Sequence, residues 1–413
     1  MNVSKVNSGY LFFFLISISI LTLFLPPFFF PIAGSILTIY FGEIFLWLCF
    51  VIWLVAVAKK RNFTLSCIGK YCLILIFIGI LSLINTTNIG RYLIGLSTYI
   101  EVALIVLMFT DIVFNQKYQS KIIRYFKYSG CILSLFIISK TLFENNGDFI
   151  LGNKITLNIG ASNYLASILL LPFFISLTAI FNNKFSLKNL LLLLVIGVAI
   201  IFTASRTALF VAIVLSATYV ILDVIINKNT RFTKKVFSLI LILFGAGVIY
   251  YIGKDFLTEM IQSGRFDNLS EQSNLLSRFQ IFQEYLDAFL NHPFVGNGFL
   301  NVNGLNEYYL AHNFILQVLG DNGFISLLIY IGLLITIYRY LNSRYNATTN
   351  IDLKSFILGY KRGFLAVLIH GMLEPNFGTK LFMIYIFIGL GIIIASTTGE
   401  ERKIINMKRL PNQ

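Results

Sequence analysis

Apolar runs of about 20 residues, each long enough to cross the ~30 Å hydrocarbon core of a bilayer, recur along this whole sequence. In lipid the backbone must satisfy its own hydrogen bonds, so a spanning chain is either helical or a closed barrel. Barrel strands would read as short alternating segments, and none dominate here. Composition agrees: 57% of the residues are hydrophobic and 12% charged, where a soluble domain would carry roughly 25% charged residues. The expected fold is an all-α, polytopic transmembrane helical bundle. Its spans, about twelve, lie near residues 10–31, 36–57, 70–84, 92–113, 123–143, 159–181, 189–204, 206–226, 236–252, 323–341, 357–373 and 379–396. The first lacks a small-residue cleavage site and runs into Pro26, Pro27 and Pro31, which reads as a retained helix and not a signal peptide.

The net charge of +14 would suggest nucleic acid in a soluble protein, but here the positions matter more than the sum. Lys59, Lys60, Arg61 and Lys70 fall in one loop, and Lys117, Lys121, Arg124 and Lys127 in another. Lys184 and Lys188, then Lys228, Arg231, Lys234 and Lys235, then Arg339, Arg344 and Lys354 fill every second loop onward, and Arg402, Lys403, Lys408 and Arg409 the C-terminal tail. By the positive-inside rule these segments and both termini are cytoplasmic. The basic charge encodes topology, and no nucleic-acid partner is expected.

Three regions follow: residues 1–252 with nine spans, a long extracytoplasmic loop over 253–322, and residues 323–413 with three spans and a cytoplasmic tail. The loop is polar at first, then becomes LLSRFQIFQEYLDAFLNHP, where Leu275, Phe279, Phe282, Leu286 and Phe289 recur at helical spacing and make one apolar stripe. Such a helix lies in the membrane interface or caps the bundle. After the glycines of VGNGF comes AHNFILQVLGDNG, in which His312 and Asn313 open a two-turn apolar segment and Gly320, Asp321, Asn322 and Gly323 break it. That segment is too short to cross, so His312 is expected on the outer side.

A second polar island is FTASRTALF, residues 202–210, at the outer turn between the seventh and eighth spans. Arginine well inside a span costs about 2.5–3.5 kcal/mol and usually lines a polar path, although Arg206 at a turn that also holds Ser205 and Thr207 could simply snorkel to the headgroups. Arg278 falls at the border of the apolar stripe of its helix, where it either reaches over the bundle to bind phosphate or is simply solvated or paired with an acid. A guanidinium fork binds phosphate bidentately, and an imidazole with an unperturbed pKa of about 6.5 suits general-base work. Arginines would thus hold a diphosphate leaving group while His312 takes a proton from an attacking hydroxyl; a hydrogen-bonded structural histidine is the alternative. No acidic cluster with metal-ligand spacing appears on the outer side, so no metal and no cofactor are expected. Glu101, ten residues into a span, is an intramembrane carboxylate, functional by default unless paired inside the bundle.

The SRTAL turn resembles that of the bacterial O-antigen ligase and polymerase family. So does the run SRFQIFQEYLDAFLNHPFVGNGF followed by HNFILQVLGDNGFISL: an arginine early in a loop helix, a Pro/Gly-rich turn, then His–Asn with a glycine eleven residues on, as His312 and Gly323 stand here. GNKITLNIGASNYLASILLLP, residues 152–172, resembles the asparagine-containing start of an earlier span in that family, and together these segments cover roughly residues 150–330. The resemblance implies a GT-C-like bundle in the bacterial inner membrane. It also implies metal-independent, inverting glycosyl transfer on the outer face, from a glycan on undecaprenyl diphosphate to a lipid A–core sugar. Arg206 and Arg278 match the arginines that engage the diphosphate, and His312 the histidine that activates or positions the acceptor. Asn313 would cap the short helix, and Ser205, Arg265, Arg91, Asn163, His370 and Glu101 are further candidates. The His-to-Gly spacing resembles ligases, and the paired outer-loop arginine motifs of some polymerases are not evident. A polymerase joining lipid-linked repeat units, with a lipid-linked glycan as acceptor, is the alternative. A flippase would suit twelve spans but would carry internal repeats with interrupted helices, and none is visible.

Overall fold

The computed structural model describes residues 3–60, 65–144, 155–182, 186–226, 269–302, 310–374 and 376–409, with a few isolated positions between 235 and 247. The described chain is all-α apart from two short hairpins. Its elements are α1 (Val3–Thr22), β1 (Phe28–Ile32), β2 (Ser35–Ile39), α2 (Phe41–Lys60), α3 (Cys67–Leu81), α4 (Ile89–Asp111) and α5 (Gln116–Glu144). Then come β3 (Thr156–Leu157), β4 (Gly160–Ala161), α6 (Ser162–Asn182), α7 (Leu187–Phe202), α8 (Arg206–Val220), α9 (Leu269–Asn291), α10 (Phe314–Ala347), α11 (Ile351–Gly371) and α12 (Lys380–Arg409). Seven of these helical segments are long and apolar enough to cross a membrane, and Gly9–Thr22, Leu187–Phe202 and Arg206–Val220 are shorter apolar helices. The protein is an all-α polytopic membrane protein. The expected ninth span, 236–252, lies almost wholly outside the described residues.

Polar residues start the helices where their amides lack partners. Ser66 accepts from Gly69 N, Asn88 from Arg91 N, and Asn350 from Asp352 N and Leu353 N. α6 and α12 form the buried centre of the bundle. Helices in lipid associate through close backbone approach at small residues, and α11 meets α6 in that way. A Cβ on Gly359 would stand 2.6 Å from Ile175 Cα, and one on Gly363 3.0 Å from Leu171 Cα. Gly130 of α5 similarly leaves room for the Pro172 ring inside α6.

The first two spans differ from expectation. α1 ends at Thr22, and residues 28–39 form an antiparallel hairpin, Phe28 opposite Ile39 and Ile32 opposite Ser35. The cause is local: Pro26 and Pro27 cannot continue a helix, and an aromatic and β-branched run on each side of Ala33–Gly34, both at positive φ (46° and 78°), makes a two-residue hairpin turn. Phe28, Phe29, Phe30 and Ile36 stay exposed on it. The loop helix α9 packs on its neighbours through the side next to its apolar stripe. Phe279 and Leu286 of the expected stripe are exposed, while Ile281 and Tyr285 are buried with Val302 and Ala311. Arg278 lies one turn before Ile281, on this inward side.

Three charges meet inside the bundle near the loop between α11 and α12. Lys380 Nζ is 2.8 Å from Glu43 Oε2 and 3.2 Å from Glu101 Oε1, and also donates to Thr38 O at 3.2 Å. Glu101 is therefore paired within the bundle. A cation at a helix N-terminus opposes the macrodipole, so Lys380, first residue of α12, depends on these carboxylates as they depend on it. Removing one partner of a buried pair costs about 3–5 kcal/mol. Lys380→Met is expected to lower the melting temperature of the detergent-solubilised protein sharply and Lys380→Arg much less, as read by thermal unfolding.

Candidate functional site

The helix ends at one face of the bundle are joined by backbone-to-backbone packing between the turn after α9 and the start of α10. Asn297 N donates to Gly320 O, Gly298 N to Asp321 O and Phe324 N to Pro293 O. Asn297 Nδ2 adds bonds to Ala288 O and Gly320 O. Gly296 (φ 72°) and Gly323 (φ 74°) make the approach possible, since a Cβ on either would lie within 2.5 Å of the opposing main chain. Gly323 is also the break in α10, so Phe314–Asn322 forms the short helix expected ahead of the span. Gln317 locks it to α9: its Oε1 accepts from Tyr285 Oη and Ala311 N, and its Nε2 donates to Asp321 Oδ2 at 2.6 Å.

This frame sets His312. Asn313 caps the short helix through Ile315 N and Leu316 N, and its Nδ2 donates to Met372 O just after α11. The tie brings residue 312 alongside Glu374, whose own N–H closes the end of α11 on His370 O. His312 Nδ1 lies 3.1 Å from Glu374 Oε2, and Arg278 Nη2 3.3 Å from Glu374 Oε1. The Glu374 side chain is 5% exposed, against 26% for His312 and 40% for Arg278. An anionic floor thus carries two cationic or proton-accepting groups that are partly exposed. Burial would push the Glu374 carboxyl up, but the His312 hydrogen bond and the charges of Arg278, His312 and His370 hold it below the usual carboxylate range. The carboxylate accepts from Nδ1–H, so that in the neutral imidazole Nε2 of His312 is the lone-pair nitrogen.

The expected residues divide clearly. Arg278 and His312 are brought together, Asn313 braces them, and His370, buried one turn before Glu374, acts on it electrostatically. Arg206 is the exposed first residue of α8, in the tight turn after α7 where Ala204 takes φ 52°, and Ser205 is buried beside it. Half-buried Arg91 and Asn163 lie in the first turns of α4 and α6, and Glu101 belongs to the Lys380 cluster. Arg265 lies outside the described residues. Glu374 was absent from the sequence candidates. Its signal was a carboxylate in LEPNFG, on the same side as His312 and four residues after His370.

The family model described as O-antigen ligase matches residues 190–331, about a third of the chain. The match contains Arg206, Arg278, His312 and Gly323, and ends before His370 and Glu374. No curated protein matches the chain. That segment, inside an all-α membrane bundle, makes this part of the chain similar to the O-antigen ligase family and supports the resemblance drawn from the sequence.

Proposed function

We propose that the protein is a membrane glycosyltransferase of the inner membrane that moves a glycan from undecaprenyl diphosphate to a lipid A–core sugar hydroxyl at the outer face. The observation that carries this reading is the convergence of Arg278 and His312 on one buried carboxylate, with their outer edges exposed. Nε2 of His312 takes the acceptor O–H proton as the hydroxyl oxygen attacks the anomeric carbon from the face opposite the leaving group. The carbon–oxygen bond to the diphosphate breaks, its electron pair leaves with the diphosphate, and configuration inverts. Arg278, joined by Arg206, holds the departing charge, and a preorganised guanidinium is a strong stabiliser of charge that develops in the transition state. Positive-inside charge supports the outward orientation.

The test is a lipopolysaccharide gel on cells lacking the protein, complemented with wild type or with Arg278→Ala. Loss of all glycan on the core, restored by wild type alone, is the expected result. Retention of a single repeat unit would assign repeat-unit polymerisation instead, and an unchanged ladder would overturn the transferase reading.

A further inference from the structure

Glu374 gives one oxygen to each of the two groups proposed to touch substrate, and the two contacts are unequal. The Arg278 contact is 3.3 Å long and its side chain is 40% exposed. Charge-assisted N–H···O bonds prefer about 2.7–2.9 Å, and an exposed pair contributes roughly 0–1 kcal/mol. The His312 contact is shorter, and the His312 side chain is more enclosed than that of Arg278. The charged or titratable groups acting on this carboxylate come from four elements: Arg278 on α9, His312 ahead of α10, His370 on α11 and Tyr164 on α6. Of these, Arg278 is the one permanent cation. His370 is fully buried, and neither of its ring nitrogens has a hydrogen-bond partner.

A diphosphate offers the Arg278 fork two bidentate faces and more charge than one carboxylate. We propose that the Arg278–Glu374 contact is exchangeable: a lipid diphosphate draws Arg278 off Oε1, and the undivided charge of Glu374 then falls on His312. Donor binding thereby strengthens the base before the acceptor hydroxyl arrives, which makes donor-first order a property of the site. Glu374 is a positioning residue in this account: it acts through His312 and Arg278 and touches neither sugar. The inference rests on the transferase reading above.

The test uses the purified full-length chain in detergent with farnesyl diphosphate as probe. Glu374→Gln removes the competitor for Arg278, so it should bind the probe roughly two- to five-fold more tightly than wild type, the equivalent of an exposed ion pair. Arg278→Ala should bind it more weakly, and the double variant no better than Arg278→Ala. A structural defect would not tighten binding. Equal or weaker binding by a Glu374→Gln protein with native elution and circular dichroism overturns the exchange. Wild type alone supplies a second readout. The Nδ1–H proton resonance of His312 should move downfield when farnesyl diphosphate is added, and a resonance that stays in place overturns the transfer of charge. Probe binding that ignores Arg278→Ala would instead sink the diphosphate reading itself, so the two failures are distinguishable.

Discussion

Gly323→Ala is expected to disrupt the layer that holds the candidate site, with a loss of stability of about 3 kcal/mol or more. Two effects add. The residue sits at φ 74°, in the left-handed region, and its Cβ would stand 2.5 Å from the carbonyl carbon and oxygen of Phe294 and 2.7 Å from Val295 N. These are main-chain atoms held by Phe324 N to Pro293 O and Asn297 N to Gly320 O, so they cannot move aside as a side-chain tip would. Thermal unfolding of the solubilised protein measures the loss, and limited proteolysis in the turn after α9 should show it first. Gly9→Ala is the control: nothing lies within 4 Å of a Cβ there, and alanine favours a helix. Similar melting temperatures for the two variants would refute the packing argument.

His312→Ala should abolish glycan transfer, lowering its rate by about 10²–10⁴-fold, the usual contribution of a positioned general base. Its cause is confined to the ring. The Asn313 cap, the Asn313–Met372 tie and the Gln317 network all use other atoms, so the short helix and its attachment to α11 stay in place. The variant loses one hydrogen bond to Glu374, which keeps Arg278, and should melt only modestly below wild type while its ladder on a lipopolysaccharide gel disappears. An intact ladder would show that His312 is neither base nor acceptor guide, and a large drop in melting temperature would return it to a structural role.

Much of this architecture was legible in the sequence because it is local. Long apolar runs have few options in lipid, and a break at Gly323 needs only the glycine and its neighbours to be recognised. Asn313 ahead of an apolar turn is likewise a cap wherever it occurs. Arg278 and His312 stood out as polar residues at the edges of such segments. The hairpin at residues 28–39 was missed because its phenylalanines satisfy a hydropathy pattern as well as a helix would. The apolar stripe of α9 likewise does not decide between the membrane interface and a place against the bundle. Its neighbours instead select the face with Ile281 and Tyr285, since Tyr285 can reach Gln317 from there.

Glu374 and the Lys380 cluster mark where reading along the chain stops. Glu374 is 62 residues from His312 and 96 from Arg278, and Lys380 is 337 from Glu43. No periodicity connects positions so far apart. Chain chemistry dictated the helices, their breaks and the basic loops, since each follows from what a segment's own backbone and side chains require of water or lipid. Which carboxylate faces which cation was left to the packing of α9, α10 and α11 around Glu374 and of α2, α4 and α12 around Lys380, because an ion pair exists only where two surfaces meet.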